Sequence, residues 1–245
     1  MEEFYNMIFK RKSVRKFDAA LSLKADELAK IKQEIEQLIP LVSEIKVGFE
    51  IVNRLYTTAK YGEYCLLLYS ENKPHYLLNA GYMLEQLDLF LTALDIGVCW
   101  YGLAKTKEME KDGLDFVIML AFGKSSPQDF RQDRSEFKRK SIYEIWQGEF
   151  DSDVKEAVRL APSAMNTQSW RLISDSSQIK VCRSTRIRPF IPIDFLAHFS
   201  TIDLGICLCF LEIALQQKGY LYERKLIEEG NPQSGLVEIA TYQIK

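Results

Sequence analysis

Histidine is almost missing from this chain of 245 residues, which has only His75 and His198. Neither lies in a motif, and no paired-cysteine spacing accompanies them, so a zinc site lacks its usual ligands. No side chain stands out as a general acid or base, and both histidines are expected to serve structural roles. An excess of charge of one sign is also missing. Lys and Arg number 32 against 34 Asp and Glu, for a net charge of −2, so nothing in the balance attracts nucleic acid. The start, Met1-Glu2-Glu3-Phe4, lacks a basic segment leading into an apolar one, so no signal peptide is expected. The longest apolar runs are interrupted by Glu, Gln or Asp, which argues against a membrane-spanning segment. The five cysteines, Cys65, Cys99, Cys182, Cys207 and Cys209, are odd in number and sit mostly in apolar runs. They are expected as buried thiols in a reducing, cytoplasmic setting, with no disulfide framework.

What is present is a globular composition, 47% hydrophobic and 12% aromatic, long enough for one large domain or two small ones. The stretch Ala161-Pro162-Ser163-Ala164-Met165-Asn166-Thr167-Gln168-Ser169-Trp170 stands out. It is a polar, turn-forming island after an amphipathic helix that Pro162 ends. Its carboxamides carry donor and acceptor at a fixed separation, which suits the imide and amide edge of a heterocycle. The alternative is an ordinary loop between that helix and a strand.

A second candidate lies near the start, where Arg11-Lys12-Ser13-Val14-Arg15-Lys16-Phe17 follows a helical run over residues 2–9. Such a cluster is either a solvated face or an anion site in which cations and Ser13 hold a phosphate. Residues 24–39 then read as an amphipathic helix stopped by Pro40, and residues 47–52 and 65–69 as strands around a turn at Gly62. Residues 76–94 form a helix apolar nearly all round. Asp95-Ile96-Gly97 ends it, and the buried segment Val98-Cys99-Trp100-Tyr101-Gly102 follows. A strand over 116–122 leads to a polar stretch, 124–139, that reads as a boundary or crossover and forms a second basic cluster with Arg131, Arg134, Lys138, Arg139 and Lys140. Strands over 170–174 and 179–183, an apolar helix over 202–217 closed by Gly219, and a strand over 237–244 complete the chain.

These elements repeat: helix, Pro-containing turn, strand pair, apolar helix, strand. Pro162 set opposite Pro40 brings Leu160 against Leu38 and Ile173 against Ile51. Gly205 set opposite Gly81 brings Leu211 against Leu87, Leu215 against Leu91 and Gly219 against Asp95. The comparison fails where chemistry is concentrated. Leu41, Glu44 and Lys46 stand opposite Ser163, Asn166 and Gln168, and Tyr222-Glu223-Arg224-Lys225 occupies the place of the Trp100 segment. An internal duplication with one functional site and one relic is expected.

These residues resemble the FMN-dependent nitroreductase family, in particular its double-length, internally duplicated members. Arg11-Lys12-Ser13-Val14-Arg15-Lys16-Phe17 resembles the family's Arg-Arg-Ser-Val-Arg-x-Phe phosphate motif. Ala161 to Trp170 resembles Ala-Pro-Ser-Ala-x-Asn-x-Gln-Pro-Trp, and Gly97 to Gly102 resembles part of Gly-Leu-Gly-x-x-Trp-x-Gly. Three departures stand out: Ser169 replaces the family's Pro, Asp95 replaces the first Gly of Gly-Leu-Gly, and the polar turn follows the core helix instead of the N-terminal motif.

The resemblance implies an α+β fold of two intertwined halves, 1–130 and 131–245, with mixed or antiparallel sheets flanked by helices and pseudo-twofold symmetry. It implies one FMN per chain. Arg11, Lys12, Ser13 and Arg15 would lie at its phosphate and ribityl, with Arg139 and Lys138 completing that end. Pro162, Ser163, Ala164, Asn166 and Gln168 would lie along the flavin, and Trp100, Tyr101 and Gly102 would face its ring. The implied activity is ping-pong reduction of an electron-poor small molecule, such as a nitroaromatic or quinone, by NAD(P)H. A monomer is expected, since the duplication supplies the dimer interface. The alternative is a scaffold or flavin-binding protein that keeps the fold without turnover.

Overall fold

Local chemistry sets where the helices begin and end. The computed structural model describes residues 4–17, 20–175, 177–185, 193–228 and 232–245, and of residues 193–196 the backbone alone. Helix α1 (Tyr5–Lys10) is shorter than its apolar pattern suggested, and residues 2 and 3 of the expected run lie outside the described residues. Helix α2 (Ala25–Gln37) starts where the Glu27 carboxylate accepts from the Lys24 amide at 2.9 Å, satisfying a donor that the first turn leaves unpaired. After the single-turn helix α4 (Ile142–Ile145), helix α5 (Ser152–Leu160) is capped by Asp151, which accepts from the Asp153 and Val154 amides at 2.8 and 3.2 Å. It stops because Pro162 crowds the residue before it, and Ala161 turns extended with ψ of 139°.

Two five-stranded sheets carry the rest. The first contains β1 (Val47–Asn53), β2 (Tyr64–Ser70), β3 (Ile96–Tyr101) and β5 (Leu114–Lys124) in the order β1-β2-β5-β3, with the short β4 (Glu110–Lys111) against β5. All its pairs are antiparallel. The second contains β6 (Trp146–Gln147), β7 (Trp170–Ser174), β8 (Gln178–Ser184), β9 (Tyr222–Leu226) and β10 (Leu236–Ile244) in the order β6-β7-β8-β10-β9. Its β6–β7 pair is parallel and the others antiparallel. The expected α+β class with antiparallel and mixed sheets is therefore the observed one. The path β1-β2-β5-β3 in one sheet matches β7-β8-β10-β9 in the other. In each, one long helix joins the second strand to the fourth: α3 (Tyr76–Ala93) and α6 (Ile193–Gln217).

These two helices cross closely in the core. A Cβ on Gly81 would sit 2.0 Å from the Ile202 carbonyl oxygen, and one on Gly205 would sit 2.0 Å from that of Leu78. The contact is reciprocal, since Ile202 lies three residues before Gly205 as Leu78 does before Gly81. Only glycine permits such an approach of two backbones. Residues 197–217 of α6 are long and apolar enough to cross a membrane, but most of that surface is buried in this core. All five cysteines are free and buried.

Two of the longer elements depart most from the sequence reading. Helix α6 begins nine residues before the expected Ile202. Its first turns carry Ser200 and Thr201, whose hydroxyls donate to the Ala197 carbonyl at 3.1 and 2.9 Å, so polar residues fit the helix without extending its apolar run. Strand β9 was not expected at all. Its sequence, YERKL, places Glu223 and Lys225 outward on a sheet edge, where charge discourages further strand pairing.

Candidate functional site

The N-terminal arm reaches its place by joining the free edge of β3. The Val14 amide donates to the Val98 carbonyl at 2.8 Å, and Ser13 bridges Val98 in parallel register. This sets Arg11, Ser13 and Arg15 beside Trp100 and Gly102. Arg11 is 3% exposed, and its Nε donates to Asp88 Oδ2 at 2.8 Å, with Glu85 at 3.4 Å. The indole of Trp100 donates to the same Asp88 oxygen at 2.7 Å. Burial acts to lower the Arg11 pKa, but the carboxylates of Asp88 and Glu85 reverse this, and the guanidinium stays charged. Burial, then the nearby Asp88 charge, pushes Glu85 upward while Arg11 and Arg139 pull it back, and the shorter contact makes Asp88 the main ion-pair partner of Arg11. Arg11 thus anchors the arm to α3.

The polar turn approaches from the other side. Met165, Asn166 and Gln168 have φ of 49°, 54° and 44°, left-handed values that cost energy in any residue but glycine. Side chains hold them there. Gln168 is fully buried, accepts from the Lys140 amide at 2.7 Å and donates to the Arg159 carbonyl at 3.0 Å. Asn166 accepts from Arg139 Nη1 at 2.8 Å and donates to the Lys138 carbonyl at 2.7 Å. The Gln168 amide donates to Ser163 Oγ at 3.0 Å. The carboxamides that a sequence reader would offer to a heterocycle are engaged in shaping the turn.

Arm, β3, turn and α6 enclose a cavity of about 340 Å³, within the range of small-molecule and cofactor sites. Arg131 and Arg139, from the strap between the two sheets, also line it. Their guanidinia lie 3.9 and 5.7 Å from the centre of the Phe137 ring. Arg131 donates to the Arg11 carbonyl, while its buried Nε has no partner. Among the described residues neither Arg131 nor Arg139 is paired with a carboxylate. Desolvation, followed by repulsion from Arg11, lowers both to about 10; for Arg139 the charges of Arg131 and Arg159 add to this. Glu136 opposes this at Arg131 and Glu85 at Arg139, yet neither forms an ion pair with its guanidinium, and two such cations suit an anion.

A family model described as "Putative TM nitroreductase" matches residues 3–215. The chain belongs to this nitroreductase family. A solved structure of "a putative nitroreductase" from Thermotoga maritima shares the fold at a TM-score of 0.63 and 19% identity, over 98% of this chain and 92% of that one. No curated protein matches the chain. Membership of the nitroreductase family supports an oxidoreductase activity.

The cavity of this nitroreductase-family chain gathers most residues singled out from the sequence: Arg11, Ser13, Arg15, Trp100, Gly102, Arg139, Pro162, Ser163, Ala164 and Asn166 all line it. Four others do not. Lys12 pairs with Glu136 at 3.0 Å, and Lys138 contributes its backbone carbonyl to Asn166. Gln168 is inside the turn. Tyr101 faces the opposite side of β3, as alternation along a strand requires, and its hydroxyl accepts from the Lys60 and Tyr61 amides at 3.1 and 3.0 Å.

Sequence reasoning did not select Arg131, Phe199, Ile202, Asp203 or Ile206, which also line the cavity. Asp203 had a readable signal, a lone acid in the apolar run Ile202-Asp203-Leu204-Gly205-Ile206. Arg131 was visible only as one member of a basic cluster.

Proposed function

We propose that the cavity holds FMN and that the chain uses NAD(P)H to reduce an electron-poor small molecule such as a nitroaromatic or a quinone. One observation carries this reading. Arg131 and Arg139 are desolvated and lack a carboxylate ion-pair partner in a cavity also lined by Arg11, Arg15, Asp203, the Trp100 indole, aliphatic side chains and a polar turn. That donor set fits a phosphate joined to a flat heterocycle. Arg131 and Arg139, with Arg15 and Ser13 nearby, would hold the phosphate, each charged hydrogen bond contributing roughly 1.5–3 kcal/mol. Trp100, Gly102 and residues 162–164 would bound the ring, with Ile202 and Ile206 excluding water. When bound, FMN supplies the hydride and electron chemistry, and the protein supplies orientation and charge.

We also read the chain as an internal duplication that acts as a monomer with one FMN, in a reducing cytoplasmic setting. The matching strand orders and the reciprocal glycine contact support the duplication. The five buried thiols suit a reducing compartment. Purified protein is expected to be yellow, with one FMN per chain by absorbance, and to bleach on adding NAD(P)H. Parallel lines in double-reciprocal plots would show ping-pong turnover. Colourless protein that refuses added FMN would overturn the reading in favour of a scaffold.

A further inference from the structure

Asp203 lines the cavity at 4% exposure, and its oxygens accept from the Ala164 amide at 2.9 and 3.1 Å and from the Thr167 hydroxyl at 3.4 Å. Pinning the turn in this way needs only an acceptor. The other long helix demonstrates it. Asn79 stands two residues before Gly81, as Asp203 does before Gly205. Asn79 Oδ1 accepts from the Leu41 and Val42 amides at 2.7 and 3.1 Å, just beyond Pro40, as Asp203 accepts from Ala164 just beyond Pro162. A carboxamide is thus enough for the structural task. Asn79 is fully buried, whereas Asp203 lines the cavity. The carboxyl offers something that a carboxamide lacks, a proton that it can release and regain.

We propose that Asp203 is the proton-holding group of this cavity and delivers its proton to an occupant whose oxygen acquires negative charge there. The inference rests on the oxidoreductase reading above. In the reduction of a quinone, a hydride equivalent originating in NAD(P)H leaves one oxygen of the product anionic. The Asp203 O–H bond breaks, a new O–H bond forms on that oxygen, and the electron pair stays on the carboxylate. Bulk water then restores the proton.

The surroundings suit this role. Burial raises Asp203 to about 7, against the opposing pull of the Ala164 amide and the Thr167 hydroxyl. Of the titratable groups around it, His198 on the same helix is lowered by burial. The Cys207 thiol, one turn on, is raised by burial and then by Asp203 itself. On α3, Glu85 is raised by burial and then by Asp88. Arg11, Arg15, Arg131 and Arg139 share the cavity wall with it.

Infrared titration of the ligand-free chain and its Asp203→Asn variant tests the proposal without turnover. A protonated-carboxyl band that titrates near neutrality in the wild type and is missing from the variant is expected. In the loaded protein, kcat/KM for the acceptor should fall as pH rises through neutrality. In the variant it should be flat and lower by about 10²-fold. FMN content should be unchanged, because a carboxamide can hold the turn. A wild-type carboxyl that is ionised throughout the titration would overturn the proposal, as would identical pH profiles in the two proteins. A chain that shows the band but binds no FMN would remove the flavin reading and leave the proton-holding group in place.

Discussion

Helices α3 and α6 present matching surroundings that ended differently, one as a cavity and one as solid core. On the solid side, Glu212 of α6 accepts from the hydroxyls of Tyr82, Tyr222 and Tyr242 at 2.8, 3.0 and 2.7 Å and pairs with Arg224. Arg224 lies 5.7 Å from the Tyr82 ring centre and donates to the Leu41 carbonyl at 3.0 Å. On the open side, Asp88 of α3 holds Arg11 and Trp100, and the space toward the turn at 162–168 remains free. Tyr82 against Ile206, and Arg224 against Trp100, make most of the difference. A buried acid on a core helix can serve either as the centre of a filled polar network or as the anchor of a cavity wall. What decides is how many large donors converge on it.

The strongest test of this contrast removes the cation on each side. Arg11→Met should cost about 3–5 kcal/mol in urea unfolding, because it leaves the buried Asp88 charge without its partner. The double variant with Asp88→Leu should recover much of that loss. Arg224→Met should cost less, roughly 1–3 kcal/mol, since three hydroxyls still serve Glu212. Equal losses at both positions would break the comparison.

Asp203→Asn comes next. Its folded-state pKa is raised from the ordinary 3.8 to about 7, so the folded chain holds a proton that the unfolded chain releases. The stability this confers is full below the unfolded pKa and is lost as pH rises toward 7. The variant should therefore exceed the wild type in thermal stability above neutrality, by up to about 4 kcal/mol. The gap should close in acid. Melting curves on both sides of neutrality would show it.

Gly205→Ala should cost on the order of 1–3 kcal/mol by forcing α3 and α6 apart, and Gly81→Ala about as much if their reciprocal contact is a true symmetry. The smallest effect on stability belongs to Arg131→Gln. It should leave the melting temperature nearly unchanged while weakening FMN binding by about 10- to 150-fold, measured by quenching of flavin fluorescence.

Much of the fold was legible in the sequence because its signals are local. Pro40 and Pro162 follow the ends of helices, the apolar faces of α2 and α5 repeat at helical spacing, and Gly219 adopts φ of 75° after α6. Strand β9 was hidden, since an edge strand rich in charge reads like a surface loop. The start of α6 was hidden because polar residues that bond back to their own helix interrupt no structure but do interrupt a hydrophobic pattern. In the site, residue types and approximate places were legible, but the direction of each side chain was not. Tyr101 and Trp100 are neighbours in sequence and face opposite sides of a strand. Gln168 and Asn166 offer the groups that a ligand needs, yet the left-handed turn uses them itself.

By itself, the sequence determined where Pro40, Pro162 and Gly219 end their helices, most of the longer strands, the family motifs and the presence of a polar island in one place and not in its counterpart. These follow from propensities and spacings that act over a few residues. Only the tertiary structure decided that Arg11 is paired with a carboxylate while Arg131 and Arg139 are not, and that Asp203 is buried at the cavity wall. Burial and counter-charge depend on partners 39 to 120 residues away in the chain. Desolvation is set by the whole enclosure, and no local window of sequence contains it.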